Sequence, residues 1–211
     1  MSDCTVSRRF PCADSWEAIA RQIESGNDGY INLGDEINFS LKDDTPITVQ
    51  AAALSPYGGS TVAFVMKDLL PWRECMNARN ESDGGYASSE MRRWIEEEIQ
   101  PKLPDQLLAV IKPRTIRQVM GNREFSTEQK LWLPSRKEIF DRDDETAPDD
   151  AFFPLFSTQK SRIKALGNGE PYWYWLRSPY GDDGFCCVYN GGGNGYNDAS
   201  FRLGVALSFL I

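Results

Sequence analysis

Apolar residues recur at Trp16, Ile19, Ala20 and Ile23, the i, i+3, i+4, i+7 spacing of a helix with one buried face. Asp14 or Ser15 caps it, and Gly26 marks its end. From Tyr30 the pattern changes to short β segments, with turns at Gly34-Asp35 and Asp43-Asp44. Strands are predicted over Ile47 to Ala53 and, after Tyr57-Gly58-Gly59, over Thr61 to Met66. A second helix opens at Ser88 or Ser89 and sets Met91, Trp94, Ile95 and Ile99 opposite Arg92, Arg93 and Glu96 to Glu98, with Pro101 as its stop. Leu107 to Ile111 and Ile116 to Met120 read as strands, and Leu131-Trp132-Leu133-Pro134 runs into Ser135-x-x-Glu138, a capping box for a short helix.

The last third has a different texture. Tyr172 to Arg177 reads as an aromatic strand broken by Ser178-Pro179, and Leu203 to Ile211 as a final strand. Period-2 aromatics beside a final strand point to core rather than to a sugar-stacking platform. Residues 180 to 203 hold three Tyr, three Asn, three Asp and six Gly, with no apolar period beyond Phe185, Cys186 and Val188. Such a stretch is expected to be mostly surface loop. Asp141 to Asp150 is acidic and contains Pro148, so it too reads as a solvated loop, able to hold calcium only with an ordered oxygen cage.

Composition narrows the function. A chain of 211 residues, 41% hydrophobic and 12% aromatic, supports one sizeable core, read as a single α+β domain over 1–211. A net charge of −8 opposes phosphate backbones and anionic lipid, so no nucleic acid partner is expected. No apolar run approaches the length of a membrane span, and the first thirty residues lack the apolar centre of a secretory signal. The expectation is a soluble protein without membrane insertion, in the cytoplasm or in a phage virion. Cys4, Cys12, Cys75, Cys186 and Cys187 include no C-x-x-C pair, which disfavours structural zinc and a disulfide framework. With no histidine, Ser-His-Asp and Cys-His catalysis and imidazole metal sites are excluded. The Gly191 to Gly195 run lacks the Lys-Ser/Thr and helix start of a phosphate loop. Neither a cofactor nor a metal is expected, and the chain reads as non-enzymatic.

Trp175-Leu176-Arg177-Ser178-Pro179, then Phe185-Cys186-x-Val188, Asn197-x-Ala199-Ser200 and Gly204-Val205-Ala206 follow one order and spacing. Upstream stand Gly34-Asp35, Met66-Lys67-Asp68, Gly85-Tyr86-x-Ser88-x-x-Met91-Arg92-x-Trp94 and Leu131-Trp132-Leu133-Pro134-Ser135-x-x-Glu138-Ile139. Across nearly its whole length the chain resembles the variable proteins of diversity-generating retroelements. The upstream motifs are shared with a broad bacterial and phage family whose members need not all be diversified. The resemblance implies a C-type-lectin-like fold with two main helices, short antiparallel sheets and long C-terminal surface loops. It also implies a variable region at 176–211 in which adenines of AAC and AAT codons are randomised. Such codons cannot become Lys, Glu, Gln, Met or Trp, and residues 180 to 203 contain none of these. The calcium-binding lectin tripeptides Glu-Pro-Asn and Trp-Asn-Asp are absent from the chain, so calcium-dependent sugar binding is not implied.

By position, the resemblance assigns ligand contact to Tyr180, Asp182, Asp183, Cys187, Tyr189, Gly191, Gly193, Gly195, Asn197, Phe201, Arg202 and Leu203, with Tyr196 beside them. Phe185, Cys186, Val188, Gly204 and Val205 would be fixed framework. Tyr supplies stiff contact area with a hydroxyl, and Asn, Asp and Gly supply adaptable polar contact, as in antibody loops. Tyr180, Tyr189, Tyr196 and Phe201 are the expected anchors, and Arg202 the expected partner for a carboxylate or an aromatic ring. The expected partner is a macromolecule, protein or glycan. Two rivals stand beside this reading: a constant structural or adhesion domain in which 180 to 203 is a fixed loop, and an enzyme using Cys187 or the acidic loop.

Overall fold

A computed structural model describes residues 15–27 and 29–211; Cys4, Cys12 and the alternative cap Asp14 lie outside the described residues. Helix α1 (Trp16–Glu24) is capped by the Ser15 hydroxyl, which accepts from Ala18 N, and buries Trp16, Ile19, Ala20 and Ile23 as their spacing predicts. Strands β1 (Glu36–Ser40), β2 (Pro46–Leu54) and β3 (Val62–Met66) form an antiparallel meander. The chain's last strand, β11 (Ser208–Leu210), returns beside β3 and completes a four-stranded sheet in the order β1-β2-β3-β11. β3 has no polar residue and is buried along its whole length, as a central strand covered on both faces requires. Phe64 of β3 stacks on Phe209 of β11 at 5.5 Å, and Trp16 closes on Phe209 edge-on at 6.3 Å.

A second sheet has five strands: β4 (Arg73–Glu74), β7 (Tyr174–Tyr180), β8 (Gly184–Val188), β9 (Asn194–Asp198) and β10 (Leu203–Gly204). Their order is β4-β10-β7-β8-β9, antiparallel except for β10 against β7. A separate hairpin pairs β5 (Arg114–Met120) with β6 (Arg123–Gln129). Between the sheets lie short helices: α2 (Glu90–Trp94) capped by Ser89, α3 (Asp105–Val110), and α4 (Arg136–Phe140), where both halves of the Ser135/Glu138 capping box form. The molecule is therefore a mixed α+β structure of antiparallel sheets with few, short helices. Among the described residues no helix is long and apolar enough to cross a membrane.

Five expectations need correction. Leu107 to Val110 belongs to helix α3 rather than a strand, with Ile111 as its C-cap, because Gln106-Leu107-Leu108-Ala109 are good helix formers, Asp105 suits the positive first turn, and the β-branched pair comes only at the end. Pro101 does not stop the second helix at once; α2 widens into a π turn (Ile95–Ile99) and tightens into a single 3-10 turn (Gln100–Lys102) that contains Pro101, and the run ends one residue beyond it. Ser178-Pro179 does not break β7, because the ladder shifts register between Trp175 and Pro179, a point where proline is tolerated. Leu203 to Ile211 is two strands, not one. β10 and β11 belong to different sheets, and Val205 to Leu207 crosses between them, accepting from Leu70 N and Met66 N at 2.9 Å each. Finally, residues 180 to 203 are not mostly loop: they build β8, wholly buried between two neighbours, and β9 at the sheet edge.

Candidate ligand-binding face

Most of the residues assigned to ligand contact fall into two groups toward the opposite ends of β8, which lie roughly 13 Å apart along the strand, while Cys187 lies within β8 itself. Past its first residue lie the β7–β8 turn and the loop from Asp198 to Arg202. Here the Tyr180 and Tyr196 rings stack at 4.0 Å and 15°, although they are 45% and 52% exposed. Gly184 pairs with Tyr180 on one side and Asp198 on the other, and an added Cβ there would come within 2.7 Å of Asn197 O, so the close approach of these strands needs glycine. Phe201, in the loop that follows β9, is 51% exposed, and Asp182, Asp183 and Arg202 are also exposed. Asn197 is half-buried, its Oδ1 accepting from Asp198 N at 3.0 Å.

The backbone under these side chains is held from behind. Fully buried Ala199 donates to Asp183 O at 2.8 Å and accepts from Met76 N and Asn77 N at 2.8 and 3.1 Å. Ser82 donates twice to the β7–β8 turn, from N to Asp182 O and from Oγ to Gly181 O, both at 2.9 Å. Asn80 reaches Asp198 Oδ2 at 3.3 Å and accepts from Ser200 N at 3.1 Å. Backbone polar groups are satisfied inward while the aromatic and acidic side chains stay in solvent, a geometry that displays contact groups without loosening the loop.

The other end of β8 is built differently. The loop after Tyr189 docks on the Lys160–Arg162 turn, with Gln159 Nε2 donating to Gly191 O at 2.9 Å and Arg162 Nε to Gly192 O at 3.0 Å. Gly193 O accepts from Tyr189 N at 2.8 Å. The Tyr189 ring is half-buried against Trp173 at 4.3 Å and lies over Gly195, where an added Cβ would come within 2.1 Å of it. Gly195 is thus a spacer under a ring rather than a displayed residue. Cys187 and Leu203 are corrected in the same way, at 0% and 4% exposure. Cys187 sits in the sheet interior between Trp175 and Gly195, and Leu203 enters β10 between β4 and β7. Burial pushes the Cys186 and Cys187 thiols up to about 12, so neither supplies a thiolate near neutral pH.

The upstream motifs converge elsewhere. Arg114, Glu138, Asp150 and Arg177 form a closed, buried square of alternating charge. Arg114 spans Glu138 Oε1 at 2.7 Å and Asp150 Oδ1 at 2.5 Å; Arg177 spans Glu138 Oε2 at 2.6 Å and Asp150 Oδ2. Tyr57 OH also donates to Glu138, and the Arg114 guanidinium lies 3.6 Å over the Tyr57 ring. Burial alone would raise the Glu138 carboxyl, but the Arg177 and Arg114 guanidiniums outweigh it and hold the group below its ordinary value. Asp144 is buried too and accepts from Ser178 Oγ at 2.5 Å. The 141–150 segment is therefore only partly solvated, since two of its carboxylates are anchored inside. Among the described residues no group of three or more metal-ligating side chains comes together.

Beyond Arg202 the surface falls into a cleft of about 390 Å³ walled by Trp72, Arg73 and Glu74 on one side and by Trp94 and Lys102 on the other. Lys102 Nζ lies 4.3 Å over the Trp72 ring and pairs with Asp43 at 3.1 Å. A family model matches residues 60–208 of the chain. The chain belongs to the DUF6273 family, a domain of unknown function. No curated protein and no solved structure matches. The DUF6273 span begins just ahead of β3 and ends at the first residue of β11, so it contains the face, the ionic square and the cleft. α1, β1 and β2 precede it.

Within the DUF6273 span the sequence left the cleft unmarked. Trp94 counted only as a core residue on a helix face, and Trp72, Arg73 and Lys102 form no local motif; they meet Arg202 through the pairing of β4 with β10. Lys164 was also missed. It is buried, donates to Met66 O and to Lys67 O at 3.2 Å, and burial pushes its ammonium down to about 7.

Proposed function

We propose that the chain is a non-enzymatic recognition protein of C-type-lectin-like fold, whose Tyr180/Tyr196/Phe201 face binds a macromolecular partner. The observation that carries this reading is the exposed Tyr180–Tyr196 stack on a backbone bonded from behind. Exposed aromatic area gains little for the free chain and much for an interface, where Tyr, Trp and Arg dominate the binding energy. The family-like spacing and the absence of Lys, Glu, Gln, Met and Trp from 180 to 203 support diversification by a retroelement.

The buried Cys187 and Leu203 and the crowded Gly195 favour the rival, a constant adhesion or structural domain of the same fold, since randomising them would disturb packing. Sequencing the encoding locus separates the two. A neighbouring reverse transcriptase and a near-copy of the 3′ end differing at template adenines are expected; a locus with neither ends the diversification reading. For the face itself, replacing Tyr180, Tyr196 and Phe201 together with Ala should abolish partner binding and leave the thermal midpoint within a few degrees. Retained binding would rule the face out.

A further inference from the structure

The cleft next to Arg202 combines features seldom left unused on an acidic protein. Its lining carries three cations, Arg73, Lys102 and Arg202, against Glu74 and Glu98, on a chain of net charge −8. The cations differ in how far they are committed. Lys102 is held by Asp43 at 3.1 Å and by the Trp72 ring. Arg202 meets Glu74 only at 3.6 Å, with its side chain 69% exposed. Arg73 donates to Tyr172 OH at 3.0 Å and, among the described residues, pairs with no carboxylate. Glu74 is engaged by its own neighbour, accepting from Cys75 N at 3.0 Å. The opposite wall is the π turn Ile95–Ile99, a rare widening of the helix that occurs frequently at functional sites, with half-buried Trp94 just ahead of it.

We propose that this cleft receives an acidic residue of a protein partner, its carboxylate between Arg73 and Arg202 and its hydrocarbon part against Trp72 and Trp94. The inference rests on the recognition reading above and gives that partner a chemistry. Planar guanidiniums pair bidentately with carboxylates, and two of them beside indole rings suit an acidic side chain carried on a hydrocarbon stem. Arg202 follows Phe201 directly in the chain and both are exposed, which puts the cleft next to the Phe201 loop. That surface is polar in charge: the Arg73/Arg202 cleft lies at one end and Asp182 and Asp183 at the Tyr180 end. A partner whose acidic residue enters the cleft is fixed in orientation by the repulsion it would meet if reversed.

The test uses the full chain and three small probes: N-acetylphenylalanine, its neutral amide, and glucuronate. Binding is followed by the indole N–H resonances of Trp72 and Trp94, assigned through Trp72→Phe and Trp94→Phe. N-acetylphenylalanine should shift both resonances with about millimolar affinity, and the amide should bind at least about tenfold more weakly. Arg73→Gln with Arg202→Gln should remove that preference, while circular dichroism and the thermal midpoint stay unchanged. Equal binding of acid and amide, or no shift at either indole, overturns the proposal. So does tighter binding of glucuronate than of N-acetylphenylalanine, which assigns the cleft to acidic saccharides. If the probes fail while the triple aromatic variant still loses its partner, the cleft inference falls and the recognition reading stands. If the probes bind as expected while the triple variant keeps its partner, the aromatic face is rejected and the cleft remains.

Discussion

The ionic square and the aromatic face are both rich in polar groups, yet they are built on opposite terms. In the square, Arg114, Arg177, Glu138 and Asp150 satisfy one another in two dimensions, and none of the four is more than 8% exposed. On the face, the backbone is satisfied while Asp182, Asp183 and Phe201 keep their free surface in solvent. A closed polar network fixes how helix α4, hairpin strand β5 and strand β7 sit together, because a shift of any one would leave a charge buried and unpaired. On the proposed reading, an open face keeps its contact groups for an external partner. Evolutionary change should therefore be tolerated in inverse order to closure.

The largest effect should come from opening the square. Arg177→Met leaves Glu138 and Asp150 facing Arg114 alone, and removal of one member of a buried pair typically costs about 3–5 kcal/mol. Urea unfolding should show that loss, or the variant should fail to fold. A variant within about 1 kcal/mol of the wild type would show that the square adds little.

Next in size is the effect of Lys164, which also lies inside but has only backbone carbonyls as acceptors. Its folded value near 7 lies below the ordinary lysine value of 10.5. Below about pH 7 both folded and unfolded chains hold the proton, and stability carries the full cost of a buried ammonium. Between about 7 and 9 the unfolded chain binds more protons than the folded one, so stability should rise with pH, by about 2–3 kcal/mol. Above about 9 the trend should reverse, because burial raises the Cys186 and Cys187 thiols to about 12 and raises the Tyr86 and Tyr174 phenols as well, so these groups ionise first in the unfolded chain. Denaturant midpoints from pH 6 to 11 would test this, and Lys164→Met should flatten the rise.

Legibility in the sequence followed locality. α1, β2, β3, β5 and the capping box were readable because spacing or a cap within a few residues decides them. The 180–203 stretch misled because its Gly and Asn content resembles a connector, whereas β8 exists through its neighbours β7 and β9. Tyr180, Tyr196 and Phe201 are exposed as composition and order suggested, but Cys187, Gly195 and Leu203 were not separable from them without knowing which face each occupies. The square was invisible for the same reason: Arg177 and Glu138 were recognised as motif positions, and only the fold joins them to Arg114 and Asp150.

A smaller effect separates the two ends of β8. Gly195→Ala puts a methyl group into the Tyr189 ring, whereas Gly193→Ala meets open space. The first should cost about 1–3 kcal/mol in urea unfolding and the second well under 1 kcal/mol. Equal costs would mean that the Tyr189 ring moves aside freely, and the docked end of β8 would then be as adaptable as the displayed end.

The smallest effect is the most informative about the face. A double-mutant cycle on Tyr180→Ala and Tyr196→Ala isolates the energy of their stack from the area each ring covers. Buried aromatic pairs are worth about 0.5–1.5 kcal/mol, and a pair this exposed should fall at or below the lower end. Coupling near zero in the free chain with strong coupling in the bound complex would mark two rings that are presented ready-stacked and become energetic only when a partner excludes water. Coupling above about 1 kcal/mol in the free chain would instead make the stack a structural clamp between β7 and β9, an exposed counterpart of the square rather than its opposite.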